Sequence, residues 1–121
     1  MTSLPCVCVL KGANTIIGQN NQPPLLCPYD LPQLAIAGAG DALAGCLGGL
    51  LAYRHRESSF AVAAQGVIIH AMGALRLAEA YPNRGLLSAD IANSLPLVRS
   101  WLASLDQSQL KMGLSPWPAS L

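Results

Sequence analysis

Gly38-Ala39-Gly40-Asp41-Ala42-Leu43-Ala44-Gly45 is the stretch whose reading decides the fold. Two glycines stand just before a run of helix formers, where backbone without side chains can come close to a ligand. The first turn of a helix offers unpaired N–H groups and the positive end of the helix dipole. Together these make a site for a phosphate, or for charge developing on one. Asp41 sits where the dipole favours its ionised form, so it can accept a proton from a hydroxyl attacking a phosphoryl group. Spacing alone equally allows Asp41 to be a helix cap. Gly45 and Gly49 recur four residues apart, which predicts close packing against a neighbouring helix, in water or in a membrane.

On the amino-terminal side, residues 19–33 are polar and carry Pro23, Pro24, Pro28 and Pro32, which excludes a long helix and predicts a loop or a poorly paired hairpin. Before it, Cys6-Val7-Cys8-Val9-Leu10 reads as a short buried strand and residues 15–18 as a second. Lys11-Gly12-Ala13-Asn14-Thr15 lies between them. A lysine at a strand end, followed by a glycine turn and a hydroxyl, can face a nucleotide, although such turns are also common simple connections.

On the carboxyl-terminal side the sequence predicts a helix over 42–53, rich in small residues, and a longer one over 58–80. Along the latter, Gln65, Arg76 and Glu79 share one arc and leave the rest apolar. His70 falls on the apolar side, where a buried imidazole satisfied by one hydrogen bond is the simplest reading. His55, between Arg54 and Arg56, reads as a solvated helix end. A last helix is predicted over 88–105, with Ser88 as its cap, Asp90 in its start and a kink or restart at Pro96. Trp101 and Trp117 read as packing residues. Residues 105–121, with Pro116 and Pro118, are expected to be a frayed tail.

Hydrophobic residues make up 52% of the 121 and charged ones 11%, with a net charge of +1 and no basic stripe, which argues against a nucleic-acid partner. So apolar a chain needs a larger body or a membrane to bury itself in. Cys6, Cys8, Cys27 and Cys46 lack the paired spacing of a zinc site and read as buried free thiols of a reducing cytoplasm. Cys6 and Cys8 would share one face of their strand.

Taken in order, V-L-K-G-A-N-T-I-I, A-I-A-G-A-G-D-A-L-A-G, G-V-I-I-H-A-M-G-A-L and G-L-L-S-A-D-I-A-N-S-L-P resemble the carboxyl-terminal half of the ADP-dependent NAD(P)H-hydrate dehydratase family. The resemblance runs over residues 6–104, and its last two blocks separate it from sugar kinases that share G-A-G-D. It implies an α/β fold: part of a ribokinase-like, three-layer α/β/α domain over residues 1–104. It also implies a cytoplasmic repair enzyme, a lyase that dehydrates the S form of NADH-hydrate or NADPH-hydrate while ADP becomes AMP and phosphate, with Mg2+ screening the phosphates. The adenine nucleotide would lie against Lys11, Gly12, Ala13, Asn14, Thr15 and Gly40. The anion hole would be the backbone of Gly38, Ala39 and Gly40, and Asp41 would be the catalytic, substrate-binding residue. Homo-oligomers are expected of the whole family protein.

The chain departs from the family pattern in three ways. It lacks the first half of the domain, its 19–33 stretch has an unusual proline content, and Ala39 stands where serine is more frequent. A sheet without its partner strands should leave an open edge and exposed apolar faces, so the isolated chain is expected to be a partial version, inactive or poorly soluble. Three rival readings exist. One is a ribokinase-like small-molecule kinase leaving a stable phosphate ester. A second is a non-catalytic fragment. The third is a small membrane hairpin over 34–53 and 60–80, opposed by Asp41, which would cost about 2.5–3.5 kcal/mol in mid-bilayer.

Overall fold

The structure is a computed structural model and describes residues 6–105. Three short strands are followed by three helices. The strands are β1 (Cys8–Leu10), β2 (Ile16–Gly18) and β3 (Leu25–Leu26), and the helices are α1 (Ala39–Tyr53), α2 (Ser59–Ala80) and α3 (Ser88–Ser104). A single 3₁₀ turn, Pro32–Leu34, joins the two halves. The strands form one antiparallel sheet in chain order, with Cys8 opposite Gly18, Leu10 opposite Ile16, and Ile16 opposite Leu26. The proline-rich stretch supplies only the two residues of β3, a poorly paired hairpin as its composition predicts.

α2 is the organising element. Eleven of its residues are buried, from Val62 to Leu77, and its start is capped by Ser58, whose Oγ accepts from the Ala61 N–H at 3.2 Å. One side of α2 packs with Ile17, Cys27, Leu31 and Leu43 beneath the sheet. Another packs with Leu50 and Val98, joining α1 and α3. A third cluster, Ala39, Leu77, Leu86 and Ile91, closes under the first turn of α1. α2 is long and apolar enough to cross a membrane, but 61% of its apolar window is already buried within the chain. The other expected span, 34–53, is no continuous helix: it is broken between the 3₁₀ turn and α1.

β1 is not the buried strand expected of an apolar run. Val7 and Val9 pack against the core, whereas Cys6, Cys8 and Leu10 face outward and are exposed. Nothing among the described residues covers that face of the sheet, where Leu10, Ile16 and Leu26 make one exposed cross-strand row. The thiols are therefore not uniformly buried: only Cys27 is, and Cys46 is half-buried.

The glycine pattern also differs from expectation. Gly45 and Gly49 have open space where a Cβ would stand, and the close approaches are on α2 instead. A Cβ at Gly66 would lie 2.5 Å from Leu47 Cδ2 of α1, and one at Gly73 would lie 2.7 Å from Ser94 Oγ of α3. α3 runs through Pro96 without a restart. Trp101 is half-buried, and Trp117 and residues 106–121 lie outside the described residues.

These contacts predict opposite outcomes for two substitutions. Gly73→Val, forcing Ser94 off its bond to the Ile91 carbonyl, should destabilise by about 1–3 kcal/mol. Gly45→Ala meets nothing and should stabilise α1 by up to about 1 kcal/mol. Urea denaturation of both variants checks this.

Candidate functional site

The residues singled out by sequence converge on the start of α1, and the reason is local. Gly38 is the N-cap in the left-handed conformation at φ 85°, a backbone angle that side chains rarely tolerate. A Cβ there would also lie 2.8 Å from Ser88 Oγ, so Gly38 admits Ser88 as a close neighbour. Ala39, Gly40 and Asp41 are then the first three residues of the helix, which begins three residues earlier than the sequence reading placed it. Asp41 is exposed, and α1 has no side-chain cap, so Asp41 does not serve as one.

The backbone donors of this turn divide. Ala39 is 1% exposed and its N–H bonds to the Ile36 carbonyl at 3.3 Å, which turns it away from solvent. The N–H groups of Gly40 and Asp41 have no hydrogen-bond partner among the described residues. Gly40 itself is exposed, with open space around it. Of the donors expected to face an anion, the Ala39 N–H is thus occupied, and the open ones in this turn are those of Gly40 and Asp41.

His70 holds the turn from behind. Its Nε2 lies 2.9 Å from the Ala39 carbonyl oxygen. A carbonyl only accepts, so Nε2 carries the proton. The single bond expected of a buried imidazole is present, and its partner is the glycine loop itself. Burial pushes the His70 pKa down, the bond to Ala39 opposes this, and the nearby Lys11 cation adds to the depression.

Ser88 is set by a second local device. The N-cap of α3 is Leu87, not Ser88, and Asp90 Oδ2 accepts from the Leu87 N–H at 2.9 Å and from Arg84 at 3.2 Å. These two partners hold the Asp90 carboxyl below its usual range. Ser88 is thereby the first helical residue and meets Gly38.

Two open hollows, one beginning at the turn and one at the segment that precedes it, share no lining residue. One, of about 610 Å³, runs between α1 and α3 from Asp41 past Gly45 and Gly49 to Tyr53 and Arg99. Arg99 stacks on the Tyr53 ring at 4.8 Å, and burial pushes the Cys46 thiol up. The expected Gly45/Gly49 stripe therefore faces this cleft rather than a helix. The other hollow, of about 380 Å³, lies between Lys11-Gly12-Ala13 and the segment from Asp30 to Ala35 that leads into the glycine loop. Asn14 gives its side-chain amide to the Cys27 carbonyl at 3.3 Å, which fixes the turn and occupies that group, and Thr15 is half-buried. Arg99 and Tyr53 were missed by the sequence reading because nothing in the local pattern brings the ends of two helices together.

The chain is an α/β unit with an open helix start, a geometry that in general suits a phosphate group. The chain belongs to the NAD(P)H-hydrate dehydratase family, whose model matches residues 1–97. It is 48% identical over 85 residues to the bifunctional NAD(P)H-hydrate repair enzyme Nnr of Coxiella burnetii, covering 70% of this chain and 17% of that protein. It is 34% identical over 99 residues to the enzyme of the same name from Thermosynechococcus vestitus, covering 81% and 19%. The Escherichia coli enzyme is 32% identical over 89 residues, covering 74% and 17%. The chain thus spans about one fifth of the length of the curated relatives it matches. No solved structure matches it.

Stability should follow His70. A depressed folded-state pKa means that the unfolded chain takes up the proton first as pH falls. The contribution is complete above about pH 6.5 and is lost as pH drops through the lower, folded-state value. Urea midpoints should show this acid loss in the native chain and less of it in His70→Gln, which should itself cost about 1–3 kcal/mol near neutral pH. Gly38→Ala should also destabilise, whereas Gly40→Ala should not.

Proposed function

We propose that this chain carries the helix-N-terminal part of a nicotinamide-cofactor repair site, which dehydrates (S)-NADH-hydrate or (S)-NADPH-hydrate with ADP as phosphoryl donor. The carrying observation is the exposed Asp41 carboxylate in the first turn of α1, beside the unpaired N–H groups of Gly40 and Asp41. The whole domain is read as ribokinase-like, with the bare sheet face covered by a further helical layer and the site in the cytoplasm. Homo-oligomers are proposed for the whole family protein.

ADP lies along the Lys11–Thr15 turn, in the hollow running to Ala35, and directs its terminal phosphoryl group to the open N–H groups of α1. Lys11 supplies a cation there. Asp41 takes the proton from the hydrate's ring hydroxyl, whose oxygen attacks that phosphoryl group and releases AMP. The phosphate then leaves with the C–O electron pair, and the adjacent carbon loses a proton to restore the ring double bond. Helix donors aimed at the charge that develops in transfer lower its cost.

Magnesium does not find a cage in this chain's own residues. Among the described residues no group of three or more His, Cys, Asp or Glu could hold a metal ion, and Asp41 is the sole carboxylate lining its cleft. Mg2+ held mainly by nucleotide phosphates and water needs no such cage. None of the steps assigned to Asp41, Lys11 or the α1 donors depends on it.

A chimera tests the site in a complete domain: this chain replaces the matching segment of the Coxiella burnetii relative. With ADP and magnesium it should regenerate NADH from the hydrate and release phosphate, and Asp41→Asn should lower kcat by about 10²–10⁴. A folded chimera that is inert, or that is indifferent to Asp41→Asn, would sink the proposal. Accumulation of a stable phosphate ester would instead favour the kinase reading.

A further inference from the structure

A small cavity of about 20 Å³ lies between the lysine turn and α2. Lys11, Gly12 and Ala13 line it, and so do Thr15 and the buried ring of His70. Every lining residue falls between positions 11 and 71, and none belongs to the bare row of Leu10, Ile16 and Leu26 on the outer face of the sheet. Lys11, Gly12 and Ala13 also line the hollow of about 380 Å³, so one turn serves both spaces.

Two polar groups reach this cavity with bonding capacity left over. Strand alternation places the first: Ile16 is exposed and Ile17 buried, so Thr15 shares the inward face with Ile17. The Thr15 carbonyl accepts the Cys27 N–H at 2.8 Å, whereas its hydroxyl has no hydrogen-bond partner among the described residues. The second is His70, which is 3% exposed. Its Nε2 donates to the Ala39 carbonyl at 2.9 Å, so Nδ1 is an acceptor, and it too has no partner among the described residues.

Size and polarity together select the occupant. One water needs on the order of 10–15 Å³, so the cavity has room for about one molecule. Apolar cavities stay dry, but a polar one takes up a water that several groups can bond. We propose that the cavity binds a single buried water, which donates to His70 Nδ1 and hydrogen-bonds the Thr15 hydroxyl. The relay from Thr15 through the water and His70 to Ala39 then ties the lysine turn to the first turn of α1. Burial, with the Lys11 cation adding to it, holds the His70 pKa down, so Nδ1 keeps its lone pair at neutral pH.

Nuclear magnetic resonance on the full chain, labelled with nitrogen-15 in its histidines, tests this. The His70 Nδ1 resonance, assigned against His55 by its loss in His70→Gln, should have the position of a hydrogen-bonded acceptor. The ring Hε1 should show a cross-peak to a water that stays longer than the molecule tumbles. Urea unfolding adds a double-mutant cycle. Thr15→Val removes the hydroxyl at similar shape, and His70→Gln keeps an N–H for Ala39 but removes Nδ1. Thr15→Val should lower the urea midpoint of the native chain and lower it clearly less in His70→Gln, where the water has already lost an anchor. A free-acceptor Nδ1 resonance, a missing water cross-peak, or equal Thr15→Val shifts in the two backgrounds would each overturn the inference. None of these readouts involves Asp41 or ADP, so the repair reading stands or falls separately.

Discussion

The buried hydrogen bond from His70 to the Ala39 carbonyl is the contact on which the rest of the arrangement depends. It joins the middle of the most buried helix to the first residue of the helix that carries Asp41. An imidazole placed there must be neutral and satisfied, because either a charge or an orphaned carbonyl in that setting is costly. The bond therefore fixes the tautomer of His70 and the direction of the first turn of α1 together. Ala39 is packed from below by Leu77, Leu86 and Ile91, so the turn cannot slide along its axis without opening that cluster. Gly38 completes the constraint: its left-handed angle points the chain into the helix, and its bare Cα leaves the room that Ser88 fills.

The four sequence blocks that carried the family resemblance are thus largely one set of contacts. The glycine loop touches the histidine block through Ala39 and His70, and the G-L-L-S-A-D block through Gly38 and Ser88. The lysine turn is close enough to His70 to depress its pKa. Asp90, which reads in sequence as an ordinary residue of a helix start, acts on the loop at one remove. It holds the Leu87 N–H and so sets where α3 begins and where Ser88 stands.

What the sequence made legible follows from the range of the forces involved. The limits of α2 were readable because Ser58 and Pro82 act within a few residues, and a partner for His70 was readable because a buried imidazole must have one. Ser88 was misread as a cap because serine before a helix has that local meaning, whereas its actual neighbour, Gly38, lies fifty residues away in sequence. Gly45 and Gly49 show the same limit from the other side. Their spacing on a helix is visible, but whether a helix or a cleft faces them depends on where α3 lies, and the close approaches fell to Gly66 and Gly73. Cys6 and Cys8 looked buried because thiols count as apolar and the run has no polar residue to reveal its alternation. Their exposure is a property of how many layers cover the sheet, which residues 6–10 do not encode.

The two hollows beside the turn have a consequence for the proposed chemistry. In-line transfer of a phosphoryl group requires the attacking oxygen and the leaving oxygen to approach phosphorus from opposite directions. A site that held both reactants in one pocket would have to separate them by other means. Here the lysine turn and the acid line different hollows with no residue in common: the acid's begins at the turn held by His70, and the lysine's ends at Ala35, on the segment that leads into that turn. On the proposed reading, the nucleotide comes from the Lys11 side and the hydroxyl from the Asp41 side, and the phosphoryl group passes at the N–H groups of Gly40 and Asp41. The rigidity of that turn is then the catalytic contribution of residues that touch neither reactant. A displacement of about 1 Å in a positioned group can cost two orders of magnitude in rate, and His70, Ser88 and Asp90 are the groups that prevent it.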